Sequence, residues 1–247
     1  MREDIGSLIA SMEADLARLE AAGDARRHFH ATYLRTTRAI ADEIARGGFR
    51  DNAWVERWDL VFADLYLDAL AADLAGVEVP APWRIAFDTA RDRRDLPPLR
   101  HVLLGMNAHI NFDLPQALVA VIEPAEFDDA DRLAARAADH RHIDDVLLDR
   151  VAAEDEELGR SGLSLTDRVL RPLNRAATKR ILVEARGKVW RNAAVLDRAR
   201  RRGETPYRQA VAELERASAA KLAELVAPGF VLLKLARRGF GVLLSDA

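Results

Sequence analysis

The chain has no cysteine among its 247 residues, which excludes disulfide staples, thiolate nucleophiles, zinc ribbons and iron–sulfur ligation. Any metal it holds must be held by nitrogen and oxygen. Lysine is almost missing: Lys179, Lys188, Lys221 and Lys234 are the only ones, so arginine carries nearly all the positive charge. No apolar run approaches the roughly 20 residues a helix needs to cross a bilayer, and no membrane span is expected. The N-terminal stretch MREDIGSLIASMEADL mixes acids with apolar residues and has no small-residue cleavage site. A secretory signal is therefore not expected, and the expected location is cytoplasmic. Arginine over lysine, with abundant alanine, points to a GC-rich bacterial genome.

Apolar residues make up 49% and charged residues 31%, a balance that suits a globular protein and not a disordered one. The net charge of −3 conceals an asymmetry. Residues 126–157 hold twelve acids against four arginines, and residues 164–203 hold twelve bases against three acids. Two helices that neutralise each other or face solvent account for this. The sharper alternative is an anion held by the basic segment, with Arg175, Lys179 and Arg186 as its candidate ligands. One tryptophan, Trp190, in the basic stripe is too little for a nucleic-acid surface, and no nucleic acid is expected.

Helical periodicity runs nearly throughout, and no segment alternates as a strand would. The fold expected is all-α, a single compact multi-helix bundle of about eight to nine helices, with residues 1–247 as one helical domain. Helices are predicted at 3–22, 24–46, 51–76, 81–92, 98–122, 127–158, 164–201 and 205–226, with a short apolar helix near 229–244. Gly23-Asp24 ends one helix and caps the next, and Gly47-Gly48 stops the second. Pro80, Pro82, Pro97 and Pro98 suit helix first turns. The apolar C-terminal segment is expected to dock on its own core; a membrane surface or a second subunit, giving a homo-oligomer, is the alternative.

Four of these helices carry His or Asp within apolar stripes. His109 and Asp113 stand one turn apart in line with Val102, Met106, Gln116 and Ala120. His140 and Asp144 do the same among Leu133, Ala137, Leu147 and Val151. Asp64 and Asp68 share a stripe with Trp54, Val61, Ala71 and Ala75, and His30 lies in line with Leu34, Thr37, Ala41 and Ile44. A buried carboxylate must be paired, protonated or bound to a cation. Helix bundles build metal sites from imidazoles and carboxylates that project inward from facing helices. His30, Asp64, Asp68, His109, Asp113, His140 and Asp144 are therefore the candidate ligands of a divalent metal. Such mixed ligation suits zinc, iron or manganese. Asp64, Asp68, His109 and Asp113 are the candidate catalytic groups. A metal-free His–Asp hydrogen bond satisfies the same residues and is the competing reading.

Asn107 and Asn111 flank His109, and Pro115 follows Asp113 closely enough to kink the helix beside it. With His28, Tyr33 and Arg35, these asparagines are the candidate substrate-binding groups. His101 and His142 fall off the apolar stripes. Trp54, Trp58, Phe62 and Tyr66 read as core.

The segments HFHATYLRTT (28–37), FADLYLDA (62–69), PPLRHVLLGMNAHINFDLP (97–115) and KVWRNA (188–193) resemble a family of actinobacterial proteins known only as a domain of unknown function. That resemblance spans nearly the whole chain, is most specific over 97–115, and implies one helical domain without supplying an activity. A weaker similarity is to the zinc-dependent phospholipase C and single-strand nuclease group, helical enzymes that use His-x-x-x-Asp pairs around zinc. His109/Asp113 and His140/Asp144 follow a comparable order, but the further histidines and the N-terminal tryptophan of that group are missing.

The function expected is a metal-dependent enzyme, hydrolytic or oxygen-using, acting on a small organic or phosphorylated substrate. The alternative is a metal-free binding or scaffold protein with a satisfied internal polar network. A third reading is a magnesium-diphosphate cyclase that uses Asp64 and Asp68.

Overall fold

A computed structural model describes residues 4–159, 165–227 and 239–244, with side chains described outside 147–182. Every regular element among the described residues is a helix. In chain order these are α1 (Ile5–Ala21), α2 (Arg27–Ala45), α3 (Asn52–Leu74), α4 (Ala81–Asp92) and α5 (Pro98–Ala108). A π-helical turn, His109–Asp113, leads into α6 (Leu114–Val121). Then follow α7 (Pro124–Phe127), α8 (Ala130–Gly159), α9 (Leu165–Arg202) and α10 (Glu204–Val226). The ends have local causes. Asp4 and Ser7 form a reciprocal capping box at α1, and the Asp51 side chain accepts from Trp54 N at the start of α3. Gly23 and Gly47 take positive φ, 61° and 71°, where α1 and α2 stop.

α3 is the central element. Trp54, Trp58, Phe62 and Tyr66 recur every four residues on it and are all buried, together with Val55, Asp59, Ala63, Leu67 and Leu70. Two apolar clusters form around it. One gathers α1, α2, α4, α5 and the C-terminal half of α10 about Phe29, Tyr66 and Trp83; the other gathers α6, α9 and the N-terminal half of α10 about Trp54, Trp58 and Leu118. Ile110 of the π-helical turn packs against both clusters, so that turn lies at their junction.

The turn itself departs from the uninterrupted helix predicted over 98–122. Pro115 has no N–H to give back to Asn111, and the backbone answers by widening: Leu114 N donates to His109 O, five residues back. α7, between the predicted helices, is one short turn that starts at Pro124.

The helix predicted near 229–244 requires correction over 239–244, the part described. Residues 239–244 carry no helix. Phe240, Gly241, Val242 and Leu244 are buried while Leu243 is exposed, so the segment packs on the bundle without coiling. Gly239 has φ 71°, and a Cβ on Gly241 would lie 3.1 Å from the Ala185 Cα. The segment therefore crosses α9 too closely to coil.

Candidate functional site

The π-helical turn carries His109 at its first position and Asp113 at its last, so the widened backbone stacks the two side chains. His109 Nδ1 lies 2.8 Å from Asp113 Oδ2, and Trp83 Nε1 of α4 donates to the same oxygen at 2.9 Å. Both residues are almost wholly buried, His109 3% and Asp113 1% exposed. Burial pushes Asp113 well above the ordinary carboxyl range, against the opposing hydrogen bond from Trp83, and pushes His109 well below its ordinary value. Both directions favour an uncharged pair with the carboxyl proton between Oδ2 and Nδ1. Nε2 of His109 then carries the ring hydrogen, and it has no protein partner.

Rings surround the imidazole. His109 stacks on Phe62 with centroids 3.6 Å apart, and Tyr33 meets its edge at 4.6 Å. Phe29, Tyr66 and Trp83 stand within 6.0 Å. The Tyr33 hydroxyl is also buried without a partner, as are both carboxyl oxygens of Asp59. Burial, with Glu56 adding to it, raises Asp59 to about 7. Phe29, Tyr66 and Trp83 also line a cavity of about 20 Å³ bounded by Arg26, Phe87, His101 and Gly105, which is room for one water. Gly105 lets Phe29 sit there: a Cβ at 105 would lie 2.3 Å from the Phe29 ring.

The other predicted residues take up different roles. His30 is fully buried and spends both nitrogens, Nδ1 on Tyr66 Oη at 2.9 Å and Nε2 on Met12 O at 2.8 Å. It ties α1, α2 and α3 together. His140 Nδ1 accepts from Trp190 Nε1 at 2.9 Å, and its ring abuts Trp58, which stacks on Phe62. Trp58 and Phe62 thus intervene between His140 and His109. Asp144 does not meet His140 as Asp113 meets His109; it forms an ion pair with Arg186 across α8 and α9. Asp64 is half-buried and Asp68 exposed, because α3 turns the face of Trp58 and Asp59 inward instead.

Tyr33 adjoins His109, whereas His28 and Arg35 line an outer surface hollow with Arg27 and Thr32. Asn107 and Asn111 are buried and hold the C-terminal segment. Arg175 and Lys179 lie outside the described side chains. Among the described residues no three His, Asp or Glu side chains are grouped as metal ligands.

Three residues of the site escaped the sequence pattern. Trp83 comes from another helix, and nothing local announces its indole. Asp59 had a signal: it stands four residues from both Val55 and Ala63, two of the most buried positions of α3. His101 is buried against His28, 5.8 Å between stacked rings, although no apolar stripe contains it.

No curated protein and no solved structure matches the chain. The likeness to zinc-dependent phospholipases and nucleases therefore gains no support. A family model does match, over residues 5–228, a span that includes the dyad, its ring enclosure and every helix from α1 to α10. The chain belongs to a family of unknown function, DUF5995.

Proposed function

We propose that the chain is an enzyme that transfers protons to and from a small organic molecule at His109, with Asp113 as the source and sink behind it. One observation carries this reading: Asp113 holds Nδ1 of His109, while Nε2, equally buried, has no protein partner. A substrate oxygen placed at Nε2 receives the ring hydrogen as the Asp113 proton passes to Nδ1. The imidazole stays neutral throughout, and Asp113 is left ionised against the Trp83 indole N–H. The reverse transfer restores the resting pair. A low-dielectric pocket penalises charge, so the relay keeps it off the ring and leaves it on Asp113, where the Trp83 N–H offsets part of the cost.

The surroundings favour a substrate with an apolar body and a carbonyl or hydroxyl oxygen. Five aromatic rings supply the apolar contact, and the unpartnered Tyr33 hydroxyl supplies a second polar one. The cavity lined by Phe87 and His101 shares Phe29, Tyr66 and Trp83 with the rings around His109, so it is the nearest opening to the dyad. A divalent metal, zinc, iron or manganese, is the second reading, and the same unpartnered nitrogen favours it, as a ligand rather than a donor.

Two measurements on protein purified without a metal-affinity tag decide the matter. Histidine side-chain NMR is expected to show His109 neutral, with its hydrogen on Nε2, from pH 5.5 to 8. A His109 that titrates near 6.5 would remove the relay. Stoichiometric metal by elemental analysis, lost in Asp113→Ala, would replace it with a metal centre. In a turnover screen of small carbonyl and hydroxyl compounds, any activity found should fall at least 100-fold in Asp113→Asn.

A further inference from the structure

Residues 239–244 lie extended across α5, the π-helical turn, α9 and α10, and side chains rather than a neighbouring strand satisfy their backbone. Asn111 Nδ2 donates to Phe240 O at 3.0 Å, and Asn111 Oδ1 accepts from Val242 N at 3.1 Å. Asn192 repeats the pattern two residues on, donating to Val242 O at 3.1 Å and accepting from Leu244 N at 2.9 Å. In a β-ladder a neighbouring strand's peptide groups make these paired contacts, to the O of one residue and the N two residues later. Asn111 and Asn192 place two primary amides where two backbone peptide groups would stand. Asn107 adds a second donor to Phe240 O.

Glu184 accepts from Phe240 N and Gly241 N, Lys188 donates to Gly241 O at 3.0 Å, and Lys221 donates to Gly239 O at 3.3 Å. Six side chains from three helices and the π-helical turn thus read main-chain atoms. Side-chain selection is confined to alternate apolar positions, Phe240, Val242 and Leu244, and to Gly241, where a Cβ would crowd the Ala185 Cα at 3.1 Å and the Lys188 side chain at 2.8 Å. All six holding residues fall within the 5–228 family match, and the segment they hold falls outside it.

We propose that this groove is a binding site for an extended apolar peptide of pattern Phe-Gly-Val-Leu-Leu, filled in cis by residues 239–244 acting as an exchangeable ligand. Recognition through backbone amides is the logic of strand addition, with side-chain amides in place of a sheet edge. The tethered segment competes by effective concentration, so a free peptide binds well only after the tether's own segment is expelled. The site and its readout are independent of the relay at His109.

The test uses the full-length chain with Gly241→Val, which puts a branched side chain against Ala185 and expels the segment while leaving the groove intact. A fluorescein-labelled peptide with the sequence of residues 239–244 is followed by anisotropy. Saturable binding is expected to the variant and at least tenfold weaker binding to wild type. Adding Asn111→Ala and Asn192→Ala to the variant, or using a peptide with valine in place of the second glycine, should weaken binding at least tenfold. Equal binding to wild type and variant, or none to a variant that melts cooperatively, would overturn the proposal. So would a Gly241→Val chain that fails to fold, because the segment would then be a fixed strut.

Discussion

Trp83 and His109 converge on one oxygen of Asp113, the indole N–H at 2.9 Å and the imidazole nitrogen at 2.8 Å, while α4 and the π-helical turn supply them from different parts of the chain. Among the described residues the indole is the one donor that favours the ionised carboxylate. Trp83→Phe keeps most of the apolar contact and removes it. The variant should lose about 0.5–1.5 kcal/mol in urea unfolding, the range for one hydrogen bond, because His109 still holds the same oxygen. It should also hold the Asp113 proton more tightly.

Gly105 and Phe29 share one space. Gly105→Ala drives a Cβ to within 2.8 Å of Cβ, Cγ and Cδ2 of Phe29, atoms too near the backbone to swing clear cheaply. A loss of about 1–3 kcal/mol is expected. Phe29→Leu in the same chain should recover part of it, and a non-additive double-mutant cycle is the check.

Asp59 gives the chain a signed pH dependence. Its carboxyl rises from 3.8 to about 7 on folding through burial. Between those values the folded chain keeps a proton that the unfolded chain has released, so this contribution to stability falls as pH rises. At about 1.4 kcal/mol per unit the loss is on the order of 4 kcal/mol, complete above about pH 7. Asp59→Asn has no proton to lose. It should match wild type near pH 4 and exceed it by at least about 2 kcal/mol at pH 8, read as urea midpoints. His109 and His140, buried neutral, act in the opposite sense below 6.5, so the difference between the two chains is the quantity to follow.

Arg200 closes the C-terminal end of α6. Its Nη1 donates to Val119 O and its Nη2 to Ile122 O, while Asp197 holds Nε. A lysine offers one point of donation where the fork offers two. Arg200→Lys should cost about 1–2 kcal/mol in thermal or urea unfolding, and a variant within about 0.3 kcal/mol of wild type would show that α6 needs no such cap.

The helices were legible because their punctuation is chemical: Gly23 and Gly47 at positive φ, and prolines in first turns. His109 and Asp113 were legible for the same reason, four residues apart beside a proline. α3 resisted because it is buried around most of its circumference. Its apolar period then carries little information about which carboxylate faces inward, and Asp59 took the place expected of Asp64 and Asp68. The C-terminal apolar run fitted a helix and a strand equally well by composition. Gly239 and Gly241, either side of Phe240, were the local sign that a backbone would pass too close for a helix. Trp83 lay beyond any local reading, since its partner is 30 residues away.

The groove of Asn107, Asn111 and Asn192 also has a consequence in time. During synthesis α5, α9 and α10 all leave the ribosome before residues 239–244 do, so the newborn chain carries an open, partly apolar slot lined with unanswered amides. At about 5–20 residues per second the interval lasts on the order of a second. Through that second Asn107, Asn111 and Asn192 have water in place of the backbone they hold in the finished fold, so this face is completed last.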